Sequence, residues 1–274
     1  MQRKLRTQLV LFVGLSGFAA VNLVPVIWTV LTSIKQPVDA FSIPPKFIFV
    51  PTFEFHYQVW VEKQFWRFLI NSVIISVCTV CISVSIGTMA AYGISRMRSV
   101  ASRGLLFSLL VMRMFPHILL AIPFFVLAHF LDLINTYTAM VLALTAINQP
   151  FTIWLMRSFF LDVPGELYEA AVIDGANAWQ IFSRVALPIV SPGLWVTALF
   201  SLLLSYNEFL FALILTGPDT KTLPVAIAEY GAEDISYWSL SAAAAIGIML
   251  PIVAFMMMLQ RHLVRGVAFG AVKG

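Results

Sequence analysis

Charge is what this sequence has least of: only 11% of its 274 residues are Asp, Glu, Lys or Arg, where ordinary soluble domains carry about 25%. Apolar residues make up 60% of the chain, so a soluble domain with a wetted surface is excluded. Cysteine is scarce too, with Cys78 and Cys81 the two copies. They form a C-x-x-C inside an apolar run where neither zinc nor a redox partner has obvious access, which argues against a metal or redox role. A phosphate cradle of the form G-x-x-x-x-G-K-[ST] is missing, and no Gly-Lys pair occurs. The chain therefore does not hydrolyse ATP by that chemistry.

What is there is a succession of apolar runs, each close to the roughly 20 residues that one hydrocarbon span requires. The reading is an all-α membrane protein forming a single transmembrane domain over residues 1–274, with six spans. They fall at about 9–34, 68–95, 104–130, 138–159, 193–215 and 239–260. The first has a basic flank like a signal peptide, but its apolar stretch exceeds the roughly 7 to 15 residues of a cleavable one, so it is expected to stay. Pro25, Pro116, Pro123, Pro150 and Pro251 fall inside spans and are read as kinks, not ends, because neighbouring helices re-satisfy the freed carbonyls.

The net charge of +4 is spread over the joints, which is topological charge and not a nucleic-acid patch. One set of joints holds eleven Lys and Arg: Arg3, Lys4, Arg6, Arg96, Arg98, Arg103, Arg157, Arg184, Arg261, Arg265 and Lys273. The other holds five, Lys35, Lys46, Lys63, Arg67 and Lys221. The positive-inside bias then places both termini and the joint before the fifth span in the cytoplasm. Residues 35–67 make a long outer loop rich in Phe and Trp, much of it read as a headgroup-level aromatic belt.

The joint at about 160–190 changes pattern. Pro164, Glu166, Glu169 and Gly175 mark the start and end of one short helix, Pro164 to Asp174. Asn177 and Gln180 have capping-box spacing, and Trp179, Phe182 and Val185 then recur at helical spacing until Pro188, where a second short helix is expected to stop. Ala170 and Ala171 leave the first helix a shallow surface. Helices that float on lipid headgroups favour Lys and Arg, whereas this face offers Glu166, Glu169 and Asp174, which argues for a protein partner.

Here the residues carry a resemblance. "EAAVIDGANAWQIFSRVALP" resembles the EAA loop of bacterial ABC importer permeases, with Glu169, Ala170, Ala171, Gly175, Leu187 and Pro188 matching and Val185 at a position usually Ile. The tail "RHLVRGVAFGAVKG", with "YNEFLFAL" and "MFPHILLAIPFF", is similar to the MalG-like carbohydrate-uptake subgroup. The resemblance implies a type I importer permease fold with a cytoplasmic coupling helix between spans four and five. It makes Glu169, Ala170, Ala171, Asp174 and Gly175 the element that docks on an ATPase. It gives Gly270, Ala271 and Lys273 of the tail, 261–274, a contact with the ATPase subunits. It places a binding-protein contact at Gly217, Pro218, Asp219 and Thr220. The implied partners are a second homologous permease subunit, two ATP-binding subunits that hold ATP and Mg, an extracytoplasmic solute-binding protein and the bilayer of the bacterial inner membrane. No cofactor is expected in this chain, nor a nucleic-acid partner.

Within the spans, Arg113, His117 and Glu208 stand out, since ionisable groups in hydrocarbon face an interior, a cavity or a partner. Arg113 and His117 are four apart, which puts them on one face of a continuous helix. An Arg113–Glu208 ion pair and contact with a solute are both open. Asn148, Gln149, Tyr206 and Asn207 likewise suit hydrogen bonds to a hydroxyl-rich solute or bridges between helices. The rival reading is an ion-coupled secondary transporter using Arg113, His117 and Glu208 as a relay, although no internal repeat is visible. "GLSG" around Ser16 matches the short serine pattern of rhomboid-type membrane proteases, a pattern that arises readily by chance.

Overall fold

The computed structural model describes the backbone of residues 2–97, 99–231 and 237–271, with side chains described there except at 2–5, 7, 101, 230, 231, 259 and 261–271. Arg98 and Lys273 lie outside the described residues, as do the side chains of Arg3, Lys4, Arg261 and Arg265. Every regular element among the described residues is a helix. The main ones are α1 (Gln2–Ser33), α2 (Trp66–Arg96), α3 (Val100–Met114), α4 (His117–Phe130), α5 (Tyr137–Leu161), α6 (Gly165–Ile173), α7 (Ala178–Tyr206), α8 (Leu210–Leu215), α9 (Leu223–Gly231) and α10 (Trp238–Ala271). Five are long and apolar enough to cross a membrane, or six if α3 and α4 count as one bent span. Proximity groups the chain into two units, Met1–Arg67 with Ala226–Leu250, and Phe68–Val225 with Pro251–Gly274.

In the first unit, Lys35 is 1% exposed, although its charge reads in sequence as an ordinary loop charge. Its ammonium donates to the Lys46 carbonyl at 2.6 Å and lies 4.7 Å from the Trp28 ring and 4.9 Å from that of Phe49. A carbonyl and two aromatic faces replace the hydration that burial removes. The Lys46 side chain pairs with Asp39 at 2.6 Å. The aromatic loop is only partly exposed. Phe41, Phe47 and Phe53 are exposed, Phe55 and Phe65 are buried, and the Trp60 indole occupies the space above Gly247.

The second unit is built on α2, α5 and α7. The bonds Asn148 to Ser205 (2.7 Å) and Thr197 to the Met156 sulfur (3.2 Å) show α5 and α7 running antiparallel in register. Gly193 lets α7 close on the Phe159 ring, and Gly87 lets α2 close on Thr152, the small-residue approach that membrane helices use. Between α2 and α5 the hydroxyls of Ser83 and Thr152 meet at 3.2 Å, and Gln149 donates to the Ser83 carbonyl. The buried hydroxyls of Thr79, Thr88, Thr145 and Ser201 along these helices have no hydrogen-bond partner among the described residues.

Proline does more than kink this chain. At Pro116 the chain turns by 93° between α3 and α4, a break and not a gentle kink. Phe115 before it is driven into an extended conformation (ψ 130°), and Pro116 itself has ψ 122°, so two consecutive residues leave the helical region. Arg113 and His117 therefore sit on different helices, at the two sides of an elbow, and do not share one helical face. Pro188 does the opposite of what its position suggests. The run from Ala178 passes through a π-helical stretch, Ile181–Ala186, straight into Leu187–Tyr206. Pro188 is the second residue of that α segment, at the junction where the π-helical hydrogen-bond pattern gives way to the α-helical one. The fifth apolar run is also broken at Asn207–Phe209, before α8, and α10 carries the last helix to Ala271, well past residue 260. Part of the polar segment after α8 is helical, as α9.

Candidate functional site

Helix α6 is short and bounded at both ends by its own sequence. Pro164, extended at ψ 133°, sets the entry. At the exit Gly175 adopts φ +78°. Its N–H donates to the Val172 carbonyl and that of Ala176 to the Ala171 carbonyl, both at 3.0 Å, the paired bonds of a Schellman cap. Two residues on, Asn177 and Gln180 exchange side-chain and backbone bonds at 2.8 and 2.9 Å, the reciprocal capping box that opens α7.

The inner face of α6 is Tyr168 and Ala171, both buried. They sit in an aromatic cluster with Tyr92 at its hub, its ring 5.1 Å from Phe182, 5.4 Å from Phe160 and 6.4 Å from Tyr168. The Arg96 guanidinium lies 4.0 Å from the centre of the Tyr168 ring, a cation over an aromatic face. Burial pushes the Tyr168 phenol up, against the opposing pull of Arg96 and with a smaller push from Tyr92. Of the alanine pair only Ala170 faces outward; Ala171 is turned into the bundle because i and i+3 from Tyr168 share one face. The outer face carries Glu166, Glu169 and Asp174 beside Leu167, Val172 and Ile173, the last 85% exposed. Trp179 is 64% exposed, with its ring 5.4 Å from that of the buried Phe182. An apolar centre with an acidic rim has the composition of a docking surface.

At the opposite end of α2 lies the segment after α8. Asn135 (φ +59°) accepts from the N–H of Gly217 at 3.0 Å and from the N–H and hydroxyl of Thr220 at 3.3 and 2.9 Å, and it donates to the Asp219 carboxylate at 2.7 Å. Asn71 on α2 donates to the carbonyls of Asp219 and Lys221, both at 3.0 Å. Pro218 and Asp219 are exposed while Thr220 is buried. Sequence reasoning did not single out Asn71, Tyr92, Tyr168 or Asn135, and used Arg96 only as a topological charge; the signal was present only as polar or aromatic residues at span ends, where such types are common.

The elbow between α3 and α4 opens on a cavity of about 180 Å³ lined by Arg113, His117, Asn148 and Glu208 with Leu144 and Leu204. It therefore brings together four of the seven residues considered for a pathway. No Arg113–Glu208 ion pair forms: the guanidinium lies 4.9 Å from the Phe151 ring, and the Glu208 carboxylate accepts from the N–H groups of Leu210 and Phe211 at 3.1 and 3.3 Å. Glu208 thus caps α8. Asn148 and Gln149 bridge helices, Asn207 donates to the Leu203 carbonyl, and Tyr206 is buried with its hydroxyl unpartnered among the described residues. A second cavity of about 270 Å³ lies on the apolar side of Arg113 and His117, against Phe115, Phe124 and Pro150. Gly270 and Ala271 end α10.

A family model described as "Binding-protein-dependent transport system inner membrane component" matches residues 83–269. A probable ABC transporter permease protein of Sinorhizobium fredii is 38% identical over 93% of this chain and 92% of its own length. The trehalose transport system permease SugB of Mycobacterium tuberculosis is 34% identical over 92% of this chain and 93% of its own. The trehalose/maltose transport system permease MalG of Thermococcus litoralis is 31% identical over 100% of both. Among solved structures, a bacterial ABC transporter involved in import of the acidic polysaccharide alginate superposes with a TM-score of 0.73 over 92% of this chain and 95% of that one, at 22% identity.

Proposed function

This chain belongs to the family of binding-protein-dependent transport system inner membrane components, and from that premise we propose how it works as the permease subunit of an ABC importer. It is a multi-pass membrane protein and not itself a catalyst. ATP and Mg belong to separate ATPase subunits, two per complex, and a second permease subunit completes the path. The solute is a carbohydrate or related polyhydroxylated compound, in keeping with relatives named for trehalose, maltose and diacetylchitobiose transport. An external binding protein delivers it, as in the alginate transporter solved with a periplasmic protein. The relatives lend no support to the ion-coupled alternative.

In this reading α3 and α4 form one broken span, giving six, and both termini lie in the cytoplasm. The observation that carries the reading is α6. It is bounded by Pro164 at its start and capped at Gly175 at its end, anchored inward by Tyr168 and Ala171, and faces outward with Glu166, Glu169, Ala170, Val172 and Ile173. A rigid helix held so is a lever on which an ATPase acts, with Glu169, Ala170, Asp174 and Gly175 at the contact and Ala171 fixing it from behind. The end of α10 at Gly270 and Ala271, with Lys273 beyond, meets the ATPase subunits as well. Gly217 to Thr220 face the binding protein. The cavity at Arg113, His117, Asn148 and Glu208 borders the solute path, its mixture of donors and acceptors suited to hydroxyl groups. Gln149 supports that path as a bridge between α5 and α2, while Tyr206 and Asn207 border it from the end of α7.

Co-purification from native membranes with mass spectrometry of partners and retained solute tests the assembly. Glu169→Lys in proteoliposomes tests the lever, because it reverses a charge on the acidic rim of the outer face. The expected outcome is an assembled complex that hydrolyses ATP without uptake. Undiminished uptake would overturn the assignment of α6.

A further inference from the structure

Helix α2 touches both functional ends of the second unit. At one end Tyr92 and Arg96 hold Tyr168 of α6 through ring contacts and the 4.0 Å cation placement. At the other, Asn71 binds two carbonyls of the 216–222 segment, the Tyr137 hydroxyl fixes the Asn71 amide at 2.6 Å, and Ser72 accepts from the Leu223 N–H at 2.8 Å. Both sets of contacts lie on one unbroken helix of 31 residues, about 45 Å long at about 1.5 Å per residue.

The other spanning helices are hinged. Helices α1, α5, α7 and α10 contain Pro25, Pro150, Pro192 and Pro251, and α3 is severed from α4 at Pro116. Helix α7, which continues the chain from α6, also carries the π-helical stretch and ends at the Asn207–Phe209 break. Such sites absorb a displacement locally. Helix α2 has no interior proline, so a push on one end arrives at the other.

Resting on the assignment of α6 as the ATPase contact, we infer that α2 is a strut that couples α6 to the 216–222 segment, with Tyr92 and Arg96 as positioning residues at one end and Asn71 and Ser72 at the other. ATP-driven movement of α6 shifts α2 along its length and repositions the segment that meets the binding protein.

The test uses the complex co-purified with its ATPase subunits in nanodiscs, trapped with Mg-ATP and orthovanadate and followed by hydrogen–deuterium exchange. Trapping is expected to change exchange at 165–176 and, by roughly threefold or more, at 216–223. In Arg96→Gln and in Asn71→Leu the response at 216–223 disappears while that at 165–176 persists. Arg96→Lys, which keeps a cation over the ring, restores it, and the double variant behaves like either single one because one broken joint suffices. A distal segment in these variants that responds like the wild type, or a wild-type segment indifferent to trapping, overturns the strut while leaving the ATPase contact standing. Absence of any response at 165–176 in the wild type overturns both.

Discussion

The Arg96 guanidinium stands over the face of the Tyr168 ring at 4.0 Å, while the hydroxyl of that buried ring has no hydrogen-bond partner among the described residues. The ring serves through its faces, not its oxygen. Tyr168→Phe is therefore expected to change stability by less than about 1 kcal/mol, since no bond is lost. Tyr168→Ala leaves a hole among Tyr92, Phe160 and Phe182 and costs about 3–5 kcal/mol. Thermal unfolding of the detergent-solubilised protein distinguishes the two; a Phe variant as damaged as the Ala variant would show that the oxygen matters.

A methyl group at residue 193 would overlap the Phe159 ring. Gly193→Ala should cost about 1–3 kcal/mol by overpacking, and adding Phe159→Leu should recover part of that loss. The same melting measurement applies. Equal damage in the single and double variants would place the effect elsewhere.

Asn135 makes four side-chain bonds to Gly217, Asp219 and Thr220 from a left-handed backbone at φ +59°. Asn135→Gly keeps that backbone accessible and removes only the bonds, each worth about 1 kcal/mol. Amide exchange at 217–220 should accelerate on the order of tenfold or more. Unaltered protection would mean that Asn71 alone holds the segment.

Burial lowers the pKa of His56, which meets the Ser33 hydroxyl at 3.2 Å. The folded state thus binds a proton less readily than the unfolded chain, whose histidine titrates near 6.5. The stability that neutral His56 contributes is complete above that pH and declines as pH falls below it toward the lowered folded value. Exchange at 54–57 should therefore quicken between pH 7.5 and about 5.5 beyond the intrinsic pH effect, and His56→Gln should abolish that excess. A slope unchanged in the Gln variant would assign it to another group.

Much of this protein is legible in its sequence wherever the signal is local. Hydropathy marks the long helices, and the Gly175 cap and the Asn177–Gln180 box lie where turn chemistry demands them. The elbow at Pro116, the π-helical stretch before Pro188 and the break at Asn207 escape such reading, because each depends on where displaced backbone groups find new partners. Glu208 illustrates it: in sequence it is an ionisable residue in a span, and only the fold shows its carboxylate closing the start of α8. The outer face of α6 is legible as acidic, but its apolar part at Val172 and Ile173 emerges only once Tyr168 and Ala171 are seen to face inward.

The hydroxyls of Thr79, Thr88, Thr145 and Ser201 give the seam between α2, α5 and α7 a particular mechanical character. Polar enough to avoid a greasy lock, yet tied across by few directed bonds, such a boundary lets one rod glide past its neighbours without shedding a fixed set of partners at each step. Friction is low where latching is sparse, and a helix that is to slide is served better by a bearing than by a weld.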